Sequence, residues 1–107
     1  MAGPTALGTN DLMILLALMR LGDDAYGVPI AREIEDTVGR PVALASVYAT
    51  LDRLAERGFV EHELGAPTAE RGGRAKKYFR ITGKGIREAR TAKQSLVKLW
   101  KGLEQLT

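Results

Sequence analysis

Apolar residues recur at helical spacing through the first half of the chain. Leu12, Leu15, Leu16 and Met19 predict a first helix, capped by Thr9, Asn10 or Asp11 and ending near Leu21. Gly22-Asp23-Asp24 then marks a turn. Ile30, Ile34 and Val38 share one face of a second helix, Val28 to Val38, with Pro29 in its first turn and Gly39 as its stop. Val47, Leu51 and Leu54 form the stripe of a third, Leu44 to Arg57, closed by Gly58. The period then changes to two. Phe59–Leu64 and Ala75–Ile81 predict strands, the second supplied with Tyr78, Phe79 and Ile81. A final helix opens on Thr82 and is expected to run to about Leu106. Its seam of Ala89, Ala92, Leu96, Leu99, Leu103 and Leu106 steps by three and four, as in a heptad repeat.

Three helices, a hairpin and a long helix predict a mainly α fold with a small β-hairpin: a winged helix-turn-helix followed by a C-terminal dimerisation helix. The expected division is a flexible N-terminus at 1–8, a DNA-binding domain at 9–82 and the dimerisation helix at 83–107. The seam fits either packing on its own domain or a two-chain contact. Because the helix is long and follows the hairpin, the homodimer is the preferred reading.

At 107 residues the chain suits one domain, burying roughly two-thirds of its unfolded surface. The absence of cysteine removes disulfides and thiolate metal sites. No apolar run reaches membrane-spanning length, and the start lacks the features of a secretory signal, so a cytoplasmic address is expected. Net charge is only +3, but it is unevenly divided. Residues 1–70 carry 5 basic against 11 acidic side chains, and residues 71–107 carry 11 against 2. A segment of net +9 beside one of −6 fits a polyanion partner, and on charge alone it fits a solvated helix face equally well.

On the third helix, Ala45, Ser46, Ala49, Asp52, Arg53 and Glu56 point away from the apolar stripe. The small residues among them would let a groove come close. Tyr48 and Thr50, on the flanks, can donate to phosphates, and Arg53 can reach a phosphate or a guanine edge. Between the strands, Arg71-Gly72-Gly73-Arg74-Ala75-Lys76-Lys77 puts four cations on a glycine-bearing turn, where Arg71 and Arg74 can enter a minor groove or grip phosphates. Trp100, beside the C-terminal seam, suits a packing anchor or a stacking surface for a planar ligand. Catalysis finds little support. His62, the single histidine, stands on a strand between Glu61 and Glu63, which point to the other face, and Gly83-Lys84-Gly85 has the wrong spacing for a phosphate loop. No cofactor and no metal are expected.

Several short motifs recur here in one order: Ala25-Tyr26-Gly27, Ser46-Val47-Tyr48-Ala49-Thr50-Leu51 with Arg53-Leu54, Gly58-Phe59-Val60, Gly72-Gly73-Arg74-Ala75-Lys76-Lys77-Tyr78-Phe79 and Thr82-Gly83-Lys84-Gly85. In this order and spacing the chain resembles the PadR family of bacterial transcriptional regulators, over nearly its whole length. The resemblance implies a dimer that binds a double-stranded operator and usually represses. It implies DNA contacts from Ser46, Tyr48 and Thr50 on a recognition helix, and from Arg71, Arg74, Lys76 and Lys77 on the wing. Ala49 stands where many relatives have proline. The single C-terminal helix resembles the short branch of the family, some members of which bind flat drugs between subunits beside a tryptophan, so Trp100 is the candidate for a small planar effector. Two other readings remain open on the residues alone: a winged helix used only for protein–protein contact, and a small-molecule-binding dimer whose DNA activity is secondary.

Overall fold

The computed structural model describes residues 7–65 and 76–106. It contains α1 (Thr9–Leu21), α2 (Gly27–Val38), α3 (Leu44–Glu56), strands β1 (Val60–Leu64) and β2 (Lys77–Ile81), and α4 (Gly83–Trp100), with 3₁₀ turns at Gly22–Asp24 and Glu104–Leu106. The expected fold class is the one observed, a mostly helical winged helix with an antiparallel two-stranded hairpin. Among the described residues no helix is long and apolar enough to cross a membrane.

The core lies where α1, α2 and α3 meet the base of the hairpin. Leu15, Ile30, Val47, Leu51, Leu54 and Phe59 are its largest fully buried side chains. Each such residue contributes roughly 1.5–3 kcal/mol by leaving water. The stripes read on α2 and α3 supply four of these residues, while Val38, at the end of α2, is half exposed. The first stripe differs. Ile14, Leu15, Ala17 and Leu18 are the buried residues of α1, while Leu16 and Met19 are exposed. From Leu12 to Met19 every position is apolar, so the sequence pattern carries no phase and packing selects the face.

Chain turns are fixed by a few polar groups. α1 starts one residue earlier than a Thr9 cap requires: Gly8 is the N-cap, and its N–H donates to the Asp11 carboxylate (3.1 Å). Leu7, placed by the sequence reading in a flexible terminus, packs against the core. Gly39 ends α2 in the left-handed conformation (φ 78°) that glycine adopts without steric cost. Thr82 caps α4 as expected. Its hydroxyl accepts from the Gly85 N–H (3.0 Å) and donates to the Gly58 carbonyl (2.7 Å), tying the helix start to the chain that leaves α3.

The hairpin pairs in strict register from Val60–Ile81 to Leu64–Lys77. Its base is secured by Phe79, whose side chain is buried and whose N–H donates to the Ala25 carbonyl (2.7 Å). A two-stranded hairpin alone is marginally stable, so this bond to the α1–α2 connection matters.

The last helix corrects the sequence reading twice. α4 stops at Trp100, not near Leu106, because Lys101 leaves helical geometry and Gly102 takes φ 87°. Leu103 and Leu106 therefore follow the helix and do not continue its seam. At the other end, Ala89 is 1% exposed and packs into the core of its own domain. Residues 83–106 are thus a half-helix seated on its own domain, a half-helix with exposed apolar side chains, and a turn.

Candidate nucleic-acid interface

α3 presents the surface that the sequence pattern suggested. Ala45, Ser46, Ala49, Asp52, Arg53 and Glu56 are all exposed. Its N-cap, Ala43, supplies no side-chain bond, so the first N–H groups of the helix keep their donors available beside Ser46. The helix dipole adds partial positive charge at the same end. Small side chains and an uncapped start make the N-terminal half of α3 the part that a polyanion can approach most closely.

The flanking residues divide. Tyr48 is half buried, its hydroxyl and the ring carbons beside it lying against Gly27 at the start of α2. Thr50 is 95% withdrawn from solvent, and its hydroxyl accepts from the Arg53 guanidinium (3.2 Å). At 100° per residue Thr50 lies about 60° from Val47 and about 40° from Leu54, on the buried face. The contact read for Thr50 is thereby corrected to a support for Arg53, which remains exposed.

On the hairpin, Arg71 and Arg74 lie outside the described residues. Lys76 and Lys77 lie within them, and both have partners inside the chain. The Lys76 ammonium stands 4.0 Å over the Tyr26 ring. Lys77 lies 3.9 Å from Asp52 of α3, a long, half-exposed pair worth little in water. This pair sets a wing cation beside the middle of α3 and shows how close the two elements lie. Farther back, Arg80 pairs with Glu61 (3.2 Å) and Glu63 (3.8 Å), so the strand face there is net acidic. Neither partner of Lys76 or Lys77 had a signal in sequence spacing, since both are long-range contacts.

Two apolar surfaces lie away from α3. One is the end of α4, where Leu96, Val97, Leu99, Trp100 and Leu103 are 40–75% exposed. Val97 belongs to it although it lies outside the seam. The other is a groove between α1 and α2, lined by Met13, Leu16, Met19 and Val38 and rimmed by the Arg20–Glu33 ion pair. Arg20 and the Thr37 hydroxyl both donate to Glu33 and hold its carboxyl below the ordinary carboxylate range. Large exposed apolar patches of this kind mark contact sites. His62 is exposed on β1, its ring tilted against Phe79 at 5.9 Å. Among the described residues no three His, Asp or Glu side chains are gathered as metal ligands would be.

Residues 15–91 match the model of the transcriptional regulator PadR-like family. Similar solved structures include a PadR-like transcriptional regulator from Bacillus cereus, 24% identical, with a TM-score of 0.74 over 92% of this chain and 91% of that one. A PadR family regulator from Eggerthella lenta is 25% identical, with a TM-score of 0.72 and coverage of 91% and 82%. One from Clostridium difficile is 22% identical, with a TM-score of 0.73 and coverage of 92% and 98%. No curated protein matches.

Proposed function

Since the chain belongs to the PadR-like family of transcriptional regulators, a family of DNA-binding and generally non-enzymatic proteins, we propose that it is a homodimeric repressor that reads an inverted-repeat operator. The observation that carries this reading is the N-terminal half of α3. Its outer face is small or polar, its backbone donors are uncapped, and Lys77 of the hairpin approaches the same helix. Ser46 and Arg53 are the contacts that specify sequence, Tyr48 reaches a phosphate from the edge, and Lys77 grips the backbone. Arg71 and Arg74 would extend that grip. Lys76 is reassigned to holding the hairpin against Tyr26 at the start of α2. Work on DNA implies a cytoplasmic address.

The dimer is formed in this proposal by the exposed end of α4, with Leu96 and Leu99 as its buried centre and Ala92 at its edge. Leu103 and Leu106 contribute from the turn beyond the helix. Exposed apolar side chains on one amphipathic helix support a subunit contact more than a solvated surface. Trp100, half exposed beside Leu96 and Leu103, supports a second element of the proposal, a planar effector stacked at that contact.

Selection of bound sequences from a random duplex pool tests the reading. Enrichment of an inverted repeat with half-sites about 10–10.5 bp apart, or a multiple, is expected. Retention of no duplex at low salt would overturn it in favour of a winged helix used for protein contact alone.

A further inference from the structure

Three consecutive residues touch both parts of the DNA-facing surface. Ala25 is fully buried and its carbonyl takes the Phe79 N–H of β2. Tyr26 meets Tyr78 edge to face, with ring centroids 5.3 Å apart and planes at 66°, and carries the Lys76 ammonium on its face. Gly27 lies under the Tyr48 ring of α3. The same tripeptide therefore holds the hairpin by backbone, ring and cation, and holds α3 by close approach.

From this arrangement we infer that residues 25–27 form a joint that fixes the angle between hairpin and α3, with Tyr26 as its positioning residue. The inference rests on the reading that both elements grip one duplex. Along β2 the packing thins outward. Phe79 is buried in the core, Tyr78 and Lys77 are half buried, and Lys76 precedes the strand. Tyr26 engages Tyr78 and Lys76, the outer part of that series. A cation held over an aromatic face is attracted by the ring quadrupole, so Lys76 is directed inward toward α2. Hairpin cations held at a set distance from α3 lose little further freedom when a duplex arrives, and preorganisation of this kind raises affinity.

The chain has no cysteine, so introduced cysteines can be labelled uniquely. Spin labels at Leu64→Cys on β1 and Asp36→Cys on α2, with labelled chains diluted into unlabelled protein, report hairpin orientation without DNA. A single narrow distance distribution is expected for this parent. Tyr26→Ala should broaden it, and Tyr26→Phe, which keeps the ring, should not. On DNA, Tyr26→Ala should lose about ten-fold in affinity and roughly one unit of salt slope, as for one lost phosphate contact, while Tyr26→Phe retains both. Should Tyr26→Ala not fold, Lys76→Ala removes only the cation and should also broaden the distribution. A narrow, unshifted distribution in a folded Tyr26→Ala or Lys76→Ala protein overturns the joint. Broadening in a protein that binds no duplex upholds the joint and removes instead the DNA reading on which its use depends.

Discussion

The Tyr48 ring of α3 lies where a Cβ on Gly27 of α2 would have to stand. This contact, and not a turn, requires glycine there, since Gly27 is helical and has no positive φ. Gly27→Ala should destabilise the domain by about 1–3 kcal/mol, the usual cost of overpacking. Gly27→Ala combined with Tyr48→Ala should cost less than the two single changes together, because the clash is gone. Chemical denaturation of the four proteins measures this, and strict additivity would show that the two residues do not meet.

The proposed subunit contact and the domain packing separate along α4. Leu96→Glu should convert a dimer to a folded monomer, because a carboxylate would be buried without a partner. Ala89→Glu should instead lower the melting temperature, since Ala89 lies in the core of its own domain. Sedimentation at micromolar concentration, with far-UV circular dichroism on the same samples, distinguishes the two. An unchanged dimer mass for Leu96→Glu would place the contact elsewhere.

Charge substitutions should sort by salt dependence. Lys77→Ala should weaken binding to all duplexes and reduce the salt slope by about one unit. Ser46→Ala and Arg53→Ala should lower the preference for operator over random DNA. Asp52→Asn should act in the opposite sense, strengthening binding to every duplex several-fold. It removes an anion from the α3 surface and releases Lys77 from its 3.9 Å pairing. Affinities for both duplexes over a salt series test all four, and a neutral Asp52→Asn would show that Lys77 is not held back by it.

The Arg20–Glu33 pair predicts a small acid-limb dependence. The folded carboxyl is held low by bonds from Arg20 and Thr37. It therefore adds stability above the unfolded carboxylate value, about 4.3, and loses it as pH falls through the folded one. Glu33→Gln should lower the denaturation midpoint slightly in the neutral range and flatten its fall between about pH 5 and pH 3, so that the two proteins converge in acid. A parallel fall in both proteins would mean that the pair is formed equally in the unfolded chain.

Order and type of element were legible because apolar period and turn residues agree from Leu12 to Thr82. The outer face of α3 was legible too, since Val47, Leu51 and Leu54 fix its phase. Three features were not. An apolar run without gaps leaves α1 no preferred face, so the helical spacing of Leu16 and Met19 predicts the helix but not their exposure. The α4 seam continues numerically across Lys101-Gly102, yet Gly102 was itself the available stop signal. Thr50 reads as a flank residue on a helical wheel, and only its bond with Arg53 makes a buried hydroxyl tolerable. The contacts of Tyr26 with Lys76 and Tyr78 join residues about fifty positions apart, a distance over which periodicity carries no information.

The early stop of α4 has a metric consequence. Its 18 residues make a strut about 27 Å long. Gly85 and Ala89 seat one end in the domain, while the exposed leucines gather at the other. In the proposed dimer the unsupported span between them sets how far apart the two α3 helices stand. Adding one turn within that span would lengthen each strut by about 5.4 Å and rotate nothing by more than a few tens of degrees. On that proposal the chain would then favour operators with altered half-site spacing, and the length of α4 would work as a ruler laid against the DNA.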